Sequence, residues 1–153
     1  MLKYLFITIV VIVFDQASKW LMMSWLSLYE TVAVMPYFNL TMAHNEGAAF
    51  SFLAQAGGWQ RWFFIGLALI ISSLLLVWLA KLKPTEKLEA ISLSLILGGA
   101  IGNVIDRISY GYVVDFIDLY IGQNHWPVFN IADSAICIGA ILLIADSFKS
   151  ETA

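Results

Sequence analysis

Two aspartates in apolar surroundings could act together in proton transfer. Asp115 lies within the run VVDFI, and Asp133 lies within NIADS at the start of an apolar helical segment. Such surroundings disfavour the charged form of a carboxylate, and two carboxylates brought together would share one proton. One would then take a proton from water while the other donates to a scissile carbonyl, as in aspartic proteases. The sequence leaves open whether these two side chains meet.

Further polar residues interrupt the apolar segments, and each also has a structural interpretation. Asp15 and Lys19 are four residues apart and can form an ion pair on one helix face. Asn103, Asp106 and Arg107 share a second helix face, where the adjacent Asp106 and Arg107 predict an ionised pair. These groups could therefore support a site without taking part in its chemistry.

Three more polar residues lie between the apolar segments or at the start of one. Asn130 precedes the last apolar segment, where an asparagine favours a helix N-cap. Asp118 is expected to be a solvated residue at the membrane interface. Asn45 opens the sequence NEG, which predicts a turn.

The composition indicates one integral membrane domain over residues 1–153. Of these residues 61% are hydrophobic and 12% are charged, whereas a soluble domain has about 45–50% and about 25%. The net charge of −3 and the lack of a basic cluster argue against nucleic-acid binding. The two histidines show no ligand-like spacing, so no metal site is predicted.

Four apolar segments are long enough to cross a bilayer, which takes about 20 helical residues. They cover residues 4–26, 62–80, 88–105 and 131–148. The first could also be a cleaved signal peptide, but Asp15 and Lys19 interrupt the expected cleavage region and no A-x-A site follows. We therefore expect a retained first span.

The lysines predict the orientation of these spans. One precedes the first span, three lie between the second and third, and one follows the fourth, at Lys3, Lys81, Lys83, Lys87 and Lys149. All fall on one side of a four-span chain, which the positive-inside rule makes cytoplasmic. Both termini are then cytoplasmic, and the connections 27–61 and 106–130 face outward. Arg61 and Arg107 are exceptions at the outer ends of their spans.

Residues 31–55 predict a small sheet outside the membrane. Alternation in YFNLTMAHN is typical of a strand, NEG of a turn and AAFSFL of a returning strand. The run VVDFIDLYI in the second outer connection could join the same sheet. The predicted fold is an all-α membrane bundle of four transmembrane helices with a small extracytoplasmic β-sheet.

The polar groups of the spans gather towards the outer membrane face when they are counted from the cytoplasmic ends. A transporter would need a polar path through the whole bilayer, and the second span carries no charge between positions 62 and 80. A lipid-modifying acyltransferase would call for a suitably placed histidine or cysteine. A purely structural membrane protein would leave the carboxylate cluster unexplained.

Five motifs resemble, in order and spacing, those of bacterial lipoprotein signal peptidases, also called signal peptidase II. They are DQASK at 15–19, NEGAAFS at 45–51, GGAIGNVIDR at 98–107, GYVVDFID at 111–118 and FNIADS at 129–134. The resemblance covers almost the whole chain. It implies an aspartic endopeptidase of the bacterial plasma membrane, with its site towards the extracytoplasmic face. Its substrate would be a prolipoprotein, cleaved just before a diacylglyceryl-modified cysteine.

The resemblance also implies roles for individual residues and partners. The catalytic pair would be Asp115 and Asp133. The residues that line or brace the site would be Asn45, Asn103, Asp106, Arg107, Asn130, Asp15 and Lys19. A β-cradle and a mobile lid are implied, with AQAGGWQ at 54–60 as the candidate lid, and neither a metal nor an organic cofactor is expected. Expected partners are prolipoproteins, membrane lipids and cyclic peptide inhibitors such as globomycin, and the protein is expected to be a monomer.

Overall fold

Four long helices dominate the computed structural model, which describes residues 1–47 and 57–150. They are α1 (Leu5–Trp25), α2 (Trp59–Lys81), α3 (Lys87–Ser109) and α4 (Ile131–Ser150), and a short 3-10 turn, Leu2–Tyr4, precedes α1. Each helix is long and apolar enough to cross a membrane. The predicted four-helix membrane bundle is therefore confirmed.

Helix α3 is the centre of the bundle and packs against each of the other three helices. Small residues allow this close packing, since a Cβ added at Gly98 would lie 2.7 Å from Val11 Cβ on α1. A Cβ added at Gly99 would overlap the backbone carbonyl of Ala132 on α4. The glycines of α3 thus bring the polar residues of α1, α3 and α4 within reach of one another.

An antiparallel sheet of four strands lies at one end of the bundle. The strands are β1 (Thr31–Met35), β2 (Phe38–Asn45), β3 (Val113–Ile121) and β4 (Asn124–His125), and they pair in the order β1-β2-β3-β4. The pairing of β2 with β3 shifts register between Leu40 and Ala43, and beyond this irregularity Ala43 lies opposite Asp115. The register places Asn45 and Asp115 near each other at the inner end of the sheet.

A small apolar core joins the sheet to the end of α1. Met22 and Leu26 of this region pack in one buried cluster with Met42, Val114 and Phe116 of the strands. The backbone N–H of Tyr29 donates to the carbonyl of Met42 at 2.9 Å. The sheet is therefore held rigidly at the end of the first helix.

The strand predictions can be compared with the described residues. The predicted strands in YFNLTMAHN and VVDFIDLYI are confirmed by β2 and β3. Strand β1 lies inside the predicted β region, although its sequence TVAVM was not singled out. The predicted returning strand AAFSFL and the first part of the candidate lid lie in residues 48–56, outside the described residues.

Candidate active site

Asp115 and Asp133 reach one cavity from two different elements. Asp115 lies in β3 and is only 2% exposed, while Asp133 lies in the first turn of α4. Both line a cavity of about 690 Å³, together with Asn45, Asn103 and Arg107. The structure thus brings together two carboxylates that are 18 positions apart in the sequence.

Asn130 connects the two carboxylates and begins α4. Its side-chain oxygen accepts the backbone N–H of Asp133 at 2.8 Å, so the predicted N-cap is confirmed. Because that oxygen is occupied, the amide nitrogen points the other way and donates to Asp115 Oδ1 at 2.6 Å. One fully buried side chain therefore fixes the start of the helix and also orients Asp115.

Asn103 and Asn45 follow the same pattern. The Asn103 oxygen accepts from Lys19 Nζ at 3.1 Å, and its nitrogen donates to Asp133 Oδ1 at 2.8 Å. The Asn45 oxygen accepts the Gly47 N–H at 3.0 Å, and its nitrogen donates to Asp115 Oδ2 at 3.1 Å. An unambiguous donor fixes each amide oxygen, so each amide must present N–H groups to the carboxylates.

The electrostatic setting of Asp115 favours its neutral form. Burial and the neighbouring carboxylate of Asp133 raise the pKa of Asp115 to about 7, although the hydrogen bonds from Asn45 and Asn130 lower it. A carboxylic acid that is protonated up to about neutral pH can exchange protons in that range. The two aspartates therefore interact as a pair.

A buried ion cluster lies behind the cavity. Lys19 Nζ is 2.8 Å from Asp15 Oδ2 and 2.8 Å from Asp106 Oδ2, so the ion pair predicted within α1 forms and extends to α3. Asp15 also accepts the backbone N–H of Ala132 at 2.9 Å, and Asp106 accepts that of Val114 at 3.1 Å. The cluster ties α1, α3, α4 and β3 together at the residues that directly precede the two aspartates.

The predicted pairing of Asp106 with Arg107 is wrong. Successive residues on a helix point about 100° apart, and Asp106 turns inward to Lys19. Arg107 instead donates to the carbonyl of Gly47 at 2.8 Å, and its guanidinium lies 5.2 Å from the ring centroid of Phe64. Arg107 is consequently a cavity-lining cation rather than the partner of Asp106.

The predicted solvation of Asp118 is also wrong, because this residue is 3% exposed. Its Oδ2 accepts from Asn39 at 3.2 Å and from Thr41 at 3.0 Å, and its Oδ1 lies 2.7 Å from His125 Nδ1. The pairing of β2 with β3 places Asn39 opposite Asp118. Asp118 is thus a cross-strand brace, and it does not line the cavity.

One residue of the network was missed in the sequence. Gln16 donates to Asp106 Oδ1 at 2.8 Å and to the carbonyl of Gly102 at 3.2 Å. Its position next to Asp15 inside an apolar span was the available signal.

Within residues 1–47 and 57–150, no group of three or more His, Cys, Asp or Glu side chains is arranged to hold a metal ion.

Comparison with known proteins places this arrangement in a family. The model of the family described as signal peptidase (SPase) II matches residues 7–149. A lipoprotein signal peptidase of Alteromonas mediterranea is 51% identical over 149 residues, which cover 97% of this chain and 82% of the relative. A lipoprotein signal peptidase of Photorhabdus laumondii is 53% identical over 149 residues, which cover 97% of this chain and 89% of the relative.

Comparison with solved structures also finds membrane enzymes. A solved structure described as a bacterial membrane enzyme has a TM-score of 0.88 and 35% identity, and the match covers 97% of this chain and 89% of that one. Four membrane-length helices and these neighbours define a multi-pass bacterial membrane enzyme. The chain belongs to the signal peptidase II family, whose members are aspartic-type hydrolases. Membership supports a role in cleaving signal peptides from lipoproteins.

Proposed function

We propose that the protein is an endopeptidase that cleaves diacylglyceryl-modified prolipoproteins just before the lipidated cysteine. Asp115 and Asp133 would activate the attacking water. The observation that carries this proposal is that both carboxylates line one cavity and interact electrostatically. Family membership supports the same chemistry and the same class of substrate.

The two aspartates would divide the work of acid and base. With one proton on the pair, the ionised carboxylate takes a proton from water as the water attacks the scissile carbonyl. The protonated carboxylate donates to the developing oxyanion, and a proton later passes to the leaving amine. The amide donors Asn45, Asn103 and Asn130 hold three of the four carboxylate oxygens by hydrogen bonds. Both side chains are thereby oriented before the substrate binds.

Arg107 is proposed to bind the substrate backbone. Its side chain is 9% exposed, lines the cavity and lies near the two aspartates, with which it interacts electrostatically. Its buried Nε has no hydrogen-bond partner among the described residues. A carbonyl oxygen of a bound peptide would satisfy this donor, because unpaired buried donors are costly. Asp15, Lys19 and Asp106 would brace the site from behind.

The cavity has an apolar part that suits a lipidated substrate. From Asp133 it continues along α4 past Ile136 and Cys137, and its other wall includes Val128 and Phe129. Cys137 is exposed on this face of the helix. Acyl chains attached to the substrate cysteine could lie against these side chains and continue into the surrounding lipid. The scissile bond would then be held at the level where the helices end.

The remaining features of the proposal concern placement and partners. The lysine distribution supports cytoplasmic termini and a site that opens to the extracytoplasmic side. We further propose that the enzyme acts as a monomer, in contact with membrane lipids. Inhibition by cyclic peptides such as globomycin stays a prediction of the family resemblance.

The test is cleavage of a defined substrate by the purified protein in detergent and lipid. A prolipoprotein carrying the diacylglyceryl group is compared with the same polypeptide without it, and mass spectrometry identifies both products. The proposal predicts one cut, directly before the lipidated cysteine, and slow or no cleavage of the unmodified chain. Equal cleavage of both substrates would show that the lipid is not recognised, and a cut elsewhere would contradict the proposed cleavage position.

A further inference from the structure

The far end of the sheet carries a patch of exposed apolar side chains. The turn between β1 and β2 lies beside the turn between β3 and β4, because the Tyr120 N–H donates to the Tyr37 carbonyl at 3.1 Å. The rings of these two tyrosines are 6.5 Å apart. Five residues at this end are between 42 and 76% exposed, and we call them the sheet tip: Val34, Met35, Tyr37, Leu119 and Ile121.

The sheet tip carries no exposed charge in its sequence neighbourhood, because the one charged residue next to it, Asp118 beside Leu119, is buried. Residues 31–43 and 119–129 contain no Asp, Glu, Lys or Arg, and His125 is their only titratable side chain apart from tyrosine. Edge strands that face water, such as β1, are usually protected by charged residues. An uncharged, apolar end of this size instead marks an interaction surface.

Backbone geometry presents two of the exposed tyrosines. Tyr37 in the β1–β2 turn has φ 73°, and Tyr29 before β1 has φ 66°. This left-handed backbone conformation costs a residue with a Cβ about 1–2 kcal/mol of free energy, and glycine would avoid that cost. Both rings are largely exposed, at 64 and 76%. Backbone hydrogen bonds hold both residues in place, from Tyr29 to the Met42 carbonyl and from Tyr120 to the Tyr37 carbonyl, so the fold keeps two aromatic rings facing outward.

The sheet tip starts from the membrane surface. Trp25 ends α1 with its ring exposed, and the exposed Tyr29 follows four residues later. Tryptophan and tyrosine are typical of the boundary between lipid and water. Met35 follows Tyr29 by six residues, so the tip lies at most about 20 Å from Tyr29 at about 3.3 Å per residue. Lying across the leaflet would remove this apolar end from water, whereas pointing away would leave it exposed.

The sheet tip is also firmly held. Asp118 on β3 binds Asn39 and Thr41 on β2, and it pairs with His125 on β4. The His125 ring stacks on Tyr120 with centroids 5.2 Å apart. These bonds fix the two turns relative to each other, so the apolar surface exists before any partner arrives.

We propose that the sheet tip docks into the lipid leaflet on its own side of the bundle. Met35, Tyr37 and Ile121 would enter the boundary between headgroups and acyl chains, at a depth of about 5–10 Å. The surface would then be continuous with the lipid-facing sides of the helices, which expose apolar residues along their length. This inference does not depend on the peptidase reaction.

Depth-dependent fluorescence quenching tests the proposal in liposomes without substrate. Cys137, the single cysteine, is replaced by serine, and a fluorophore is attached at Ile121→Cys or, in a second protein, at Met35→Cys. Phosphatidylcholine carries a nitroxide either near the headgroup or at the chain end. Ile70→Cys on the exposed side of α2 is the deep control, and Thr85→Cys in the turn after α2 is the aqueous control.

The proposal predicts stronger quenching at positions 121 and 35 by the headgroup nitroxide, by about twofold or more given the expected shallow depth. Position 70 should show the reverse, and position 85 should show little quenching. Two labelled positions keep the test valid if one variant fails to fold. Quenching at 121 and 35 as weak as at 85 would overturn the proposal. A blue shift of the fluorophore emission that grows with the protein-to-lipid ratio would indicate a second copy of the protein and would also overturn the proposal. A blue shift seen only after prolipoprotein is added would overturn it as well.

Discussion

At the scale of single residues, three asparagines determine how the two aspartates are presented. Asn45, Asn103 and Asn130 each have an oxygen held by a group that can only donate, namely a backbone N–H or a lysine ammonium. Their nitrogens must then donate to the carboxylates. The aspartates would be free to rotate without these bonds, and catalytic geometry tolerates little such freedom.

Replacing Asn130 by serine should separate its two roles. A serine hydroxyl can still cap α4, but it cannot reach Asp115 as the amide does. We expect Asn130→Ser to keep the helix-cap contribution of about 1 kcal/mol that Asn130→Ala loses. Its kcat should be roughly 10- to 100-fold lower, since a hydrogen bond to a charged group contributes about 1.5–3 kcal/mol. Thermal unfolding and cleavage rates measure the two effects, and Asn130→Ala should lose both. Equal activity of Asn130→Ser and wild type would exclude the proposed orienting role.

The acidity of the pair predicts a pH limit. Because burial and Asp133 raise the pKa of Asp115 to about 7, the pair keeps a proton below that pH and loses it above. Two ionised carboxylates lack a general acid, so kcat/KM should fall about tenfold per pH unit above about 7. Cleavage rates across pH, with circular dichroism as the folding control, give the profile. A rate that stays constant well above pH 7 in folded protein contradicts the shared proton.

Residue-level prediction from the sequence singled out Asp115 and Asp133, which line one cavity, but it was wrong where side-chain orientation decides. An acid between Val114 and Phe116 is unusual enough to be noticed in the sequence. By contrast, the sequence does not show that Asp106 turns away from Arg107, or that Asn39 lies opposite Asp118. Both depend on helix rotation and strand register, which only the assembled fold determines.

At the scale of secondary-structure elements, close packing of α3 and α4 sets the position of Asp133. Gly99 and Gly102 of α3 lie against the first turn of α4 and against Asp15. The pattern GGAIG predicted close helix contact, although it could not identify the partner helices. The contact places Asn103, one turn further along α3, where its amide meets Asp133.

A methyl group at Gly99 should therefore disturb the site. The added Cβ would overlap the carbonyl of Ala132, and overpacking of this kind costs about 1–3 kcal/mol. Gly66→Ala on α2 is the matched control, because nothing lies within 4 Å of a Cβ there. Unfolding in detergent should show a clear loss for Gly99→Ala and no loss for Gly66→Ala, which can gain up to about 1 kcal/mol of helix propensity. Similar stability of the two variants would argue against tight α3–α4 packing.

At the scale of the whole molecule, the polar groups concentrate at the sheet end of the bundle. Asp15, Asn103 and Asp133 come from three helices, and Asp115 comes from the sheet. All lysines except Lys19 of the buried ion cluster, in contrast, lie near the other ends of the helices. Hydrophobic length predicted the helices, and lysine placement predicted their orientation. Which helices touch could not be predicted, because apolar spans pack by shape and all look alike in composition.

The orientation gives a prediction for intact cells. If the positive-inside rule holds, the turn between α2 and α3 is cytoplasmic. A label at Thr85→Cys, with Cys137 replaced by serine, should react with a membrane-permeant thiol reagent and resist an impermeant one in spheroplasts. Permeabilising the membrane should allow the impermeant reagent to react with the cysteine at position 85. Direct labelling of intact spheroplasts by the impermeant reagent would place both termini outside.

The central claim is that Asp115 and Asp133 act as one catalytic pair. Its most direct measurement is cleavage of a diacylglyceryl-modified prolipoprotein by wild type, Asp115→Asn and Asp133→Asn under identical conditions. Asp146→Asn, on α4 but outside the cavity lining, is the matched control. The account predicts that both dyad variants stay folded and lose about 10²- to 10⁴-fold in kcat, while Asp146→Asn cleaves like wild type. If either folded dyad variant cleaves at the wild-type rate, the two-aspartate mechanism is wrong.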